Sequence, residues 1–325
     1  MKQKILSTLS LLILVFTCST WQSSSKVTAE PLACTGGHCY HFPFIKAPVT
    51  PIYFPMIINN YPIPDSTLII DHENIDITQI PDVWLTAARN LTIHYGQTSH
   101  GSQILSGLDY MKTYDAYKYN FAISPGATPP TLPAGTDLLK IYTGNNYSGN
   151  TYITPDMYWE GSTGISHTTS TAATSLFDYS MWSWCGQAEY YSNDQINTYL
   201  AQMRAFETAF PDMRFILMTG HNVGTPGTSL LAHNQMIRDY AIANDMILFD
   251  FADIETYTPD GTFYDPAIYN YNEGSCPWCD TWCDSHTSYC SNPPVDCAHT
   301  HGLFCQMKAQ AFWWMMARLA GWPGL

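Results

Sequence analysis

Short apolar runs alternate with helix-like segments along most of this chain, and that alternation restricts its fold more than any other feature. Runs typical of strands buried on both faces lie at 68–70, 91–95, 120–123, 180–184, 215–218 and 246–251. Apolar residues at helical spacing lie at 81–89, 102–111, 194–210, 229–244 and 303–319. Strands and helices in alternation predict an α/β fold, a three-layer α/β/α sandwich with a mostly parallel sheet.

Two long stretches interrupt the pattern, at 124–174 and 257–295. The first is rich in Gly, Pro, Thr, Asn and Tyr, and the second contains a cluster of cysteines. We expect both to be long loop insertions that gather at the carboxyl ends of the strands, where open α/β sheets bind their ligands. We therefore predict one domain over 67–325, with a cysteine-rich loop at about 257–297. An extended arm rich in Pro, Tyr and Phe is expected over 30–66.

The first 29 residues have the pattern of an export signal. Lys2 and Lys4 precede an apolar stretch over 5–16, and small residues ending at Ala29 close the segment. The apolar stretch is too short to cross a bilayer as a helix, so we expect a secreted or periplasmic protein without an integral membrane segment. Anchoring through Cys18 is the alternative, which the residues before Cys18 disfavour because they are not small.

The charge balance excludes one class of partner. The chain has 13 basic and 27 acidic residues, and removal of the first 29 residues leaves 10 basic residues, which gives a formal charge near −17. Such a protein repels phosphate backbones, so we expect no nucleic-acid partner. Because 14% of the residues are aromatic and 12% are charged, exposed Tyr and Trp side chains are candidates for stacking on sugars. Burial in the core is the commoner fate of any single aromatic residue.

Ten cysteines in an exported chain indicate disulfides. Cys34 and Cys39 bracket a short turn and are expected to pair. Six further cysteines crowd into the C-terminal part and permit several alternative pairings: Cys276, Cys279, Cys283, Cys290, Cys297 and Cys305. Cys185 is left over. The same region also has the Cys and His spacing of a zinc site, but disulfides account for the cysteines without a metal, so we predict no metal site.

Two short polar blocks far apart in sequence carry the residue types of a serine hydrolase. Ser99 follows Gly96 at the predicted end of a strand, and Asp296-Cys297-Ala298-His299 precedes the last predicted helix. A serine hydroxyl becomes a good nucleophile when an imidazole accepts its proton and a carboxylate orients that imidazole. We therefore predict Ser99 as nucleophile, His299 as general base and Asp296 as the orienting acid.

Other roles compete with this interpretation. Ser99 is also of a residue type that caps helices, and Ser102 is a second hydroxyl nearby. His301 is a competing base, and Asp296 is of a type common in turns. Three acidic residues cluster at the end of the predicted strand 246–251, namely Asp250, Asp253 and Glu255. We expect a structural role for them, with orientation of His299 as the alternative.

These blocks resemble the SGNH, or GDSL-like, hydrolase superfamily. The resemblance covers about residues 65–322 and is to an exported bacterial branch of that superfamily. Gly96-Gln97-Thr98-Ser99 is similar to that superfamily's Gly-Asp-Ser-type turn, with one extra residue and with Gln97 in place of the acid. The Asp-x-x-His block is matched in full by 296–299. Three further segments carry the likeness, at 218–222, 249–255 and 311–322.

The resemblance implies a flavodoxin-like sheet and ester hydrolysis without a cofactor. It also implies oxyanion donors, for which the nearest candidates are Gly186 and Gln187, together with the Ser99 amide, because Gln offers the same amide donor as the superfamily's Asn. His100, His221 and Asn222 are further candidates for binding the oxyanion or substrate. Gly107 is a weaker candidate for a second glycine of the superfamily.

Together these features predict an exported serine esterase whose substrate is a small ester or an acyl group on a carbohydrate. The aromatic segment 142–184, with Tyr158, Trp159 and Trp182, is the expected substrate wall. One alternative is a non-catalytic exported protein that has the same scaffold and binds glycan or cell-surface material. Another is a zinc protein built on the Cys and His cluster.

Overall fold

The computed structural model describes residues 34–35, 38–39, 67–222, 227–266, 275–292 and 294–325, in two compact units. In the first unit, Met1–Ile57, strands β1 (Cys34–Thr35) and β2 (His38–Cys39) pair antiparallel, with the backbones of Cys34 and Cys39 opposite each other. The predicted signal segment, most of the predicted arm and the expected Cys34–Cys39 bond lie outside the described residues.

The second unit is built on a parallel sheet of seven strands. The strands are β3 (Ile69–Ile70), β4 (Thr92–Gly96), β5 (Phe121–Pro125), β6 (Leu139–Thr143), β7 (Tyr179–Trp182), β8 (Arg214–Met218) and β9 (Ile247–Phe249). Their order across the sheet is β3-β9-β8-β7-β4-β6-β5, and all neighbours are parallel. The predicted α/β/α sandwich with a parallel sheet is therefore confirmed.

Helices cover the sheet and connect its strands. They are α1 (Asp82–Ala88), α2 (Ser102–Tyr114), α3 (Gly161–Ala172), α4 (Gln187–Tyr190), α5 (Asn193–Ala209), α6 (Thr228–Ala243), α7 (Phe251–Ile254), α8 (Pro277–Ser285) and α9 (Gly302–Leu319). Helices α1 and α2 pack against α9, whereas α4 and α5 pack against α6. These two groups form the outer layers of the sandwich.

The direction in which the chain crosses the sheet reverses between β4 and β7. Strands β3 and β5 lie at the two edges of the sheet. When the five strands between them are numbered 1 to 5 along the chain, starting from β4, their order across the sheet is 2-1-3-4-5 (β6-β4-β7-β8-β9). In doubly wound sheets the ligand site lies outside the carboxyl ends of the two strands at such a reversal. The loops that follow β4 and β7 are therefore the expected position of a site.

The prediction that 124–174 is one long loop is wrong, because it contains β6 and α3. The sequence of α3 is rich in Gly, Ser and Thr, which are weak helix formers. Tertiary contacts stabilise it: buried Thr168 donates to the Tyr158 carbonyl (2.6 Å), and Thr171 donates to Asn145 Oδ1 (3.1 Å). Strand β6 lies between β4 and β5, where its neighbours supply its hydrogen bonds.

The cysteine-rich stretch 257–295 also contains a helix, α8, so it is not a loop throughout. Three disulfides join the six cysteines in sequence order: Cys276–Cys279, Cys283–Cys290 and Cys297–Cys305. The preference for disulfides is confirmed, and these six sulfur atoms are not available as zinc ligands. Cys185 is a free thiol.

Helix α9 is the centre of its layer. All of its residues except Arg318 are buried, including Trp313, Trp314 and the charged Lys308. A helix that is buried all round belongs in a core. Within the described ranges, the helices are too short or too polar to cross a membrane.

Gly107 of α2 allows the close contact between α2 and α9. A Cβ atom at this position would lie 1.9 Å from the Cys305 carbonyl oxygen and 2.7 Å from the Ala309 Cβ. Gly107 therefore has a packing role, on the α9 side of α2.

We expect Gly107→Ala to lower the free energy of unfolding by about 3 kcal/mol, because the added methyl group overpacks a rigid helix contact. Urea unfolding without reductant measures this. Asp109→Ala, on the exposed side of the same helix, is the control and should change stability by about 0.5 kcal/mol or less. Equal stability of the two variants would contradict the packing role.

Candidate functional site

Hydrogen bonds join the two loops at the reversal of the sheet. The Thr98 N–H donates to Ser183 Oγ (3.0 Å), and Thr98 Oγ1 donates to the Trp184 carbonyl (2.7 Å). Ser99 and Cys185 are the next residues in each loop, and Ser99 Oγ lies 3.5 Å from Cys185 Sγ. Both side chains are half-buried.

The turn after Ser99 needs a glycine. A Cβ atom at Gly101 would lie 2.1 Å from Ser183 Oγ, so a side chain here would push the two loops apart. The Gly101 carbonyl accepts a hydrogen bond from the Tyr95 hydroxyl (2.9 Å). Ser102 begins α2 and donates its hydroxyl to the Ser99 carbonyl (2.6 Å), which is a structural role for this competing serine.

Three histidines from three different loops stack beside Ser99 and Cys185, and we call them the imidazole stack. The His100 ring lies 3.6 Å from the His221 ring, almost parallel to it, and 4.6 Å from the His299 ring, measured between ring centres. His100 follows Ser99, His221 follows β8, and His299 precedes α9. The fold thus brings predicted site residues from the middle and the end of the sequence to one edge of the sheet.

His299 is held in an uncommon backbone conformation. Its φ of +63° lies in the left-handed region, which is costly for a residue with a side chain and is often found at functional sites. The Cys297–Cys305 disulfide ties this loop to the first turns of α9. Gln103 Nε2 donates to the neighbouring Ala298 carbonyl (2.6 Å).

The free thiol lies between the hydroxyl and the imidazole stack. Cys185 Sγ is 3.5 Å from His100 Nδ1, and the Tyr152 hydroxyl donates to the same sulfur (3.6 Å). The sequence predicted neither Cys185 nor Tyr152 as a site residue. The signal that was present is that Cys185 is the one cysteine left over in a chain of paired cysteines, just after a predicted strand.

The Asp296 side chain is exposed. Its role in orienting His299 stays a prediction. His301, the competing base, accepts a hydrogen bond from the Leu303 N–H at the start of α9 and faces Asp280 (3.2 Å). Asp250 pairs with Arg238, and Asp253 with His72, so these two acids have the structural roles expected of them.

The predicted oxyanion donors differ in the hydrogen bonds that their polar groups make. Gln187 Oε1 accepts a hydrogen bond from the Cys185 N–H (3.0 Å), so Gln187 orients the loop with its oxygen atom. Among the described backbone hydrogen bonds none uses the Gly186 N–H, so that group is available to a ligand. Asn222 donates its side-chain amide to the Ala252 carbonyl (2.6 Å), which is a structural contact.

The three aromatic residues named for the predicted substrate wall are core residues, so this part of the prediction is wrong. Tyr158, Trp159 and Trp182 are at most 1% exposed, and they pack with Trp184 and Tyr199 in the core. Large aromatic side chains gain most from burial, and this gain decides their place. The half-exposed Tyr152 (45%) is the aromatic residue that lies beside Cys185.

The imidazole stack is not arranged as a metal site. Ligand lone pairs lie in the imidazole planes, and the planes of His100 and His221 are parallel, so their nitrogen atoms do not converge on one point. In the described part of the chain, the cluster that meets the spacing of metal ligands is Asp71, His72 and Asp253. There His72 Nδ1 is already paired with Asp253 Oδ1 (2.5 Å).

No protein-family model matches this chain, and neither a curated protein nor a solved structure matches it. The observations that bear on function are therefore the position of the site at the reversal of the sheet and its side chains. These provide two nucleophiles, Ser99 and Cys185, beside a stack of imidazoles.

Cys185 should react with thiol reagents in the folded protein. We expect iodoacetamide, added without reductant, to alkylate Cys185 and to leave the six C-terminal cysteines unmodified, because of these seven cysteines only Cys185 combines a free sulfur with partial exposure. Peptide mass spectrometry locates the label, and Cys185→Ala is the control that lacks it. Alkylation at the C-terminal cysteines would contradict the disulfide pairing.

His100 and His221 should remain neutral in mildly acidic solution. Burial lowers the pKa of His100 to about 2 and that of His221 to about 4, and the nearby His299 and Lys308 act in the same direction. We expect neither ring to titrate between about pH 8 and about pH 5.5 when followed by NMR. Because the unfolded chain takes up protons on these rings below pH 6.5, they make the free energy of unfolding fall as the pH falls from 6.5 towards 4. A titration of either ring near its ordinary pKa would contradict this.

Proposed function

We propose that the protein is an exported hydrolase of the SGNH type that cleaves an ester, with an acylated carbohydrate as its substrate class. The observation that carries the proposal is a chain of contacts beside the carboxyl ends of β4 and β7: Ser99 contacts Cys185, Cys185 contacts His100, and the His100 ring stacks on His299. This is the point at which a sheet of this topology binds its ligand. Three disulfides and the signal-like first 29 residues support export.

In the proposed reaction Ser99 Oγ attacks the acyl carbon and gives its proton to the His299 imidazole. The carbonyl oxygen becomes an oxyanion near the Gly186 N–H, which is available to bind it. The imidazolium then protonates the leaving alcohol as the carbon–oxygen bond breaks, which leaves an acyl ester on Ser99. Water activated by the same imidazole releases the acid and restores the serine.

A second candidate is a cysteine hydrolase, and one observation favours it. The side chain in direct contact with an imidazole nitrogen is Cys185, at 3.5 Å from His100 Nδ1, whereas Ser99 contacts the thiol. A thiol needs less activation than a hydroxyl, and proton transfer to a neighbouring imidazole makes it a nucleophile. The low pKa of His100 opposes a resting thiolate–imidazolium pair, so Ser99 remains our first assignment.

Activity measurements on three variants separate these candidates. Purified protein is incubated with p-nitrophenyl acetate and with acetylated oligosaccharides, beside Ser99→Ala, Cys185→Ala and His299→Ala. We expect Ser99→Ala and His299→Ala to lower kcat by about 1,000-fold or more, because each removes a group that bonds to the reacting atoms. Ser170→Ala, an exposed serine on α3, is the matched control and should keep full activity.

Other patterns of activity among the variants would assign a different function. Loss of activity in Cys185→Ala with activity retained in Ser99→Ala would assign the nucleophile to the thiol. A thioester acyl-enzyme, released by neutral hydroxylamine and located at Cys185 by mass spectrometry, would confirm that assignment. Absence of turnover in the unmodified protein, with binding of the same oligosaccharides, would replace the hydrolase proposal with glycan binding.

A further inference from the structure

We propose that Lys308, Gln103 and Glu255 are positioning residues that fix His299 and His221 in the imidazole stack through the backbone of the loops that carry them. This inference rests on the proposed hydrolase function for its consequence on rate, but its structural part is tested separately below.

Lys308 is a charged residue at the centre of a core helix. Its side chain is fully buried, and its Nζ is 2.5 Å from Glu255 Oε1 and 3.7 Å from the centre of the Phe251 ring. Burying a charge is costly even when it is paired, and apolar residues would fill such a place with equal or greater stability. The position of the pair therefore calls for a role beyond packing.

The first arm of the network runs from Lys308 to His299. Lys308 Nζ donates a hydrogen bond to Gln103 Oε1, and Gln103 Nε2 donates to the Ala298 carbonyl (2.6 Å), next to His299. An ammonium group only donates and a carbonyl only accepts, so the Gln103 amide has one possible orientation between them. Lys308 thereby sets the direction in which Gln103 points, and Gln103 restrains the loop that holds His299 at positive φ.

The second arm runs from the same ion pair to His221. Glu255 Oε2 accepts a hydrogen bond from the backbone N–H of Asn222 (2.6 Å), the residue that follows His221. Gln103, Lys308, Glu255 and Asn222 are all at most 1% exposed, so water does not compete for these contacts. One buried ion pair is thus linked to the backbone beside two of the three stacked rings.

The two arms restrain the backbone of the loops that carry His299 and His221. A misplacement of about 1 Å in a catalytic group is enough to lower a rate about 100-fold, so the restraint has a kinetic consequence.

The test uses variants that cut the two arms at different points. Gln103→Glu keeps an acceptor for Lys308 but has no donor for the Ala298 carbonyl, and Gln103→Met, which adds no charge, removes both contacts. The double variant Lys308→Met with Glu255→Met removes both charges together, so neither charge is left buried without its partner, and it also removes the acceptor of the Asn222 N–H. Lys112→Met is the matched control, because Lys112 also donates to a backbone carbonyl (Phe121, 2.6 Å) but lies on another part of α2.

Two measurements are made on each folded variant: the NMR shifts of the histidine rings, and kcat and KM for p-nitrophenyl acetate. We expect both Gln103 variants to shift the His299 signals while those of His221 change little. The double variant should shift both sets of signals. In each case kcat should fall about 100-fold with little change in KM, whereas the Lys112 control should behave like the unmodified protein.

The inference is overturned if Gln103→Met and the double variant fold and leave the His299 signals unchanged. It is equally overturned if those signals move but kcat stays within a few-fold of the unmodified enzyme. If the unmodified protein hydrolyses no ester, the function proposed above fails. The ring signals still decide whether the network positions the histidines.

Discussion

The burial of α9 on all sides is the constraint on which the rest of the structure depends. Its apolar residues pack against the sheet, α1 and α2, and the close approach of α2 is possible because Gly107 has no side chain. The same helix carries Cys305, which ties the His299 loop through a disulfide, and Lys308, which pairs with Glu255 and is linked through Gln103 to the His299 loop. Core packing and the geometry of the site are therefore properties of one helix.

The site itself is a junction of four loops at one edge of the sheet. The hydrogen bonds of Thr98 join the loops after β4 and β7, and this brings a hydroxyl and a thiol into contact. The loops after β8 and before α9 add His221 and His299 to His100. Desolvation lowers the pKa of His100 and His221, so these two rings of the stack are neutral at neutral pH.

The elements with a strong hydrophobic period were predicted well, and those with a weak one were not. Helix α9 and strands β4, β7 and β8 were expected within a few residues of their observed bounds. Strand β6 and helix α3 were missed, since polar residues and weak helix formers hide them in the sequence. Both depend on partners elsewhere in the chain, which a local pattern does not reveal.

The candidate site shows the same division between local and long-range information. The sequence by itself determined the parallel α/β architecture, the cysteine content and the placement of Ser99, His100, His221 and His299 next to predicted elements, because periodicity and residue type are local properties. Only the tertiary structure decided that the cysteines pair in sequence order and that Tyr158, Trp159 and Trp182 belong to the core. It also decided that Cys185 meets Ser99 and that Lys308 is connected through Gln103 to the His299 loop. Apart from the disulfides, which join cysteines close in sequence, these facts depend on contacts between residues far apart in sequence. Those contacts are fixed when the strands take their order in the sheet and α9 is buried.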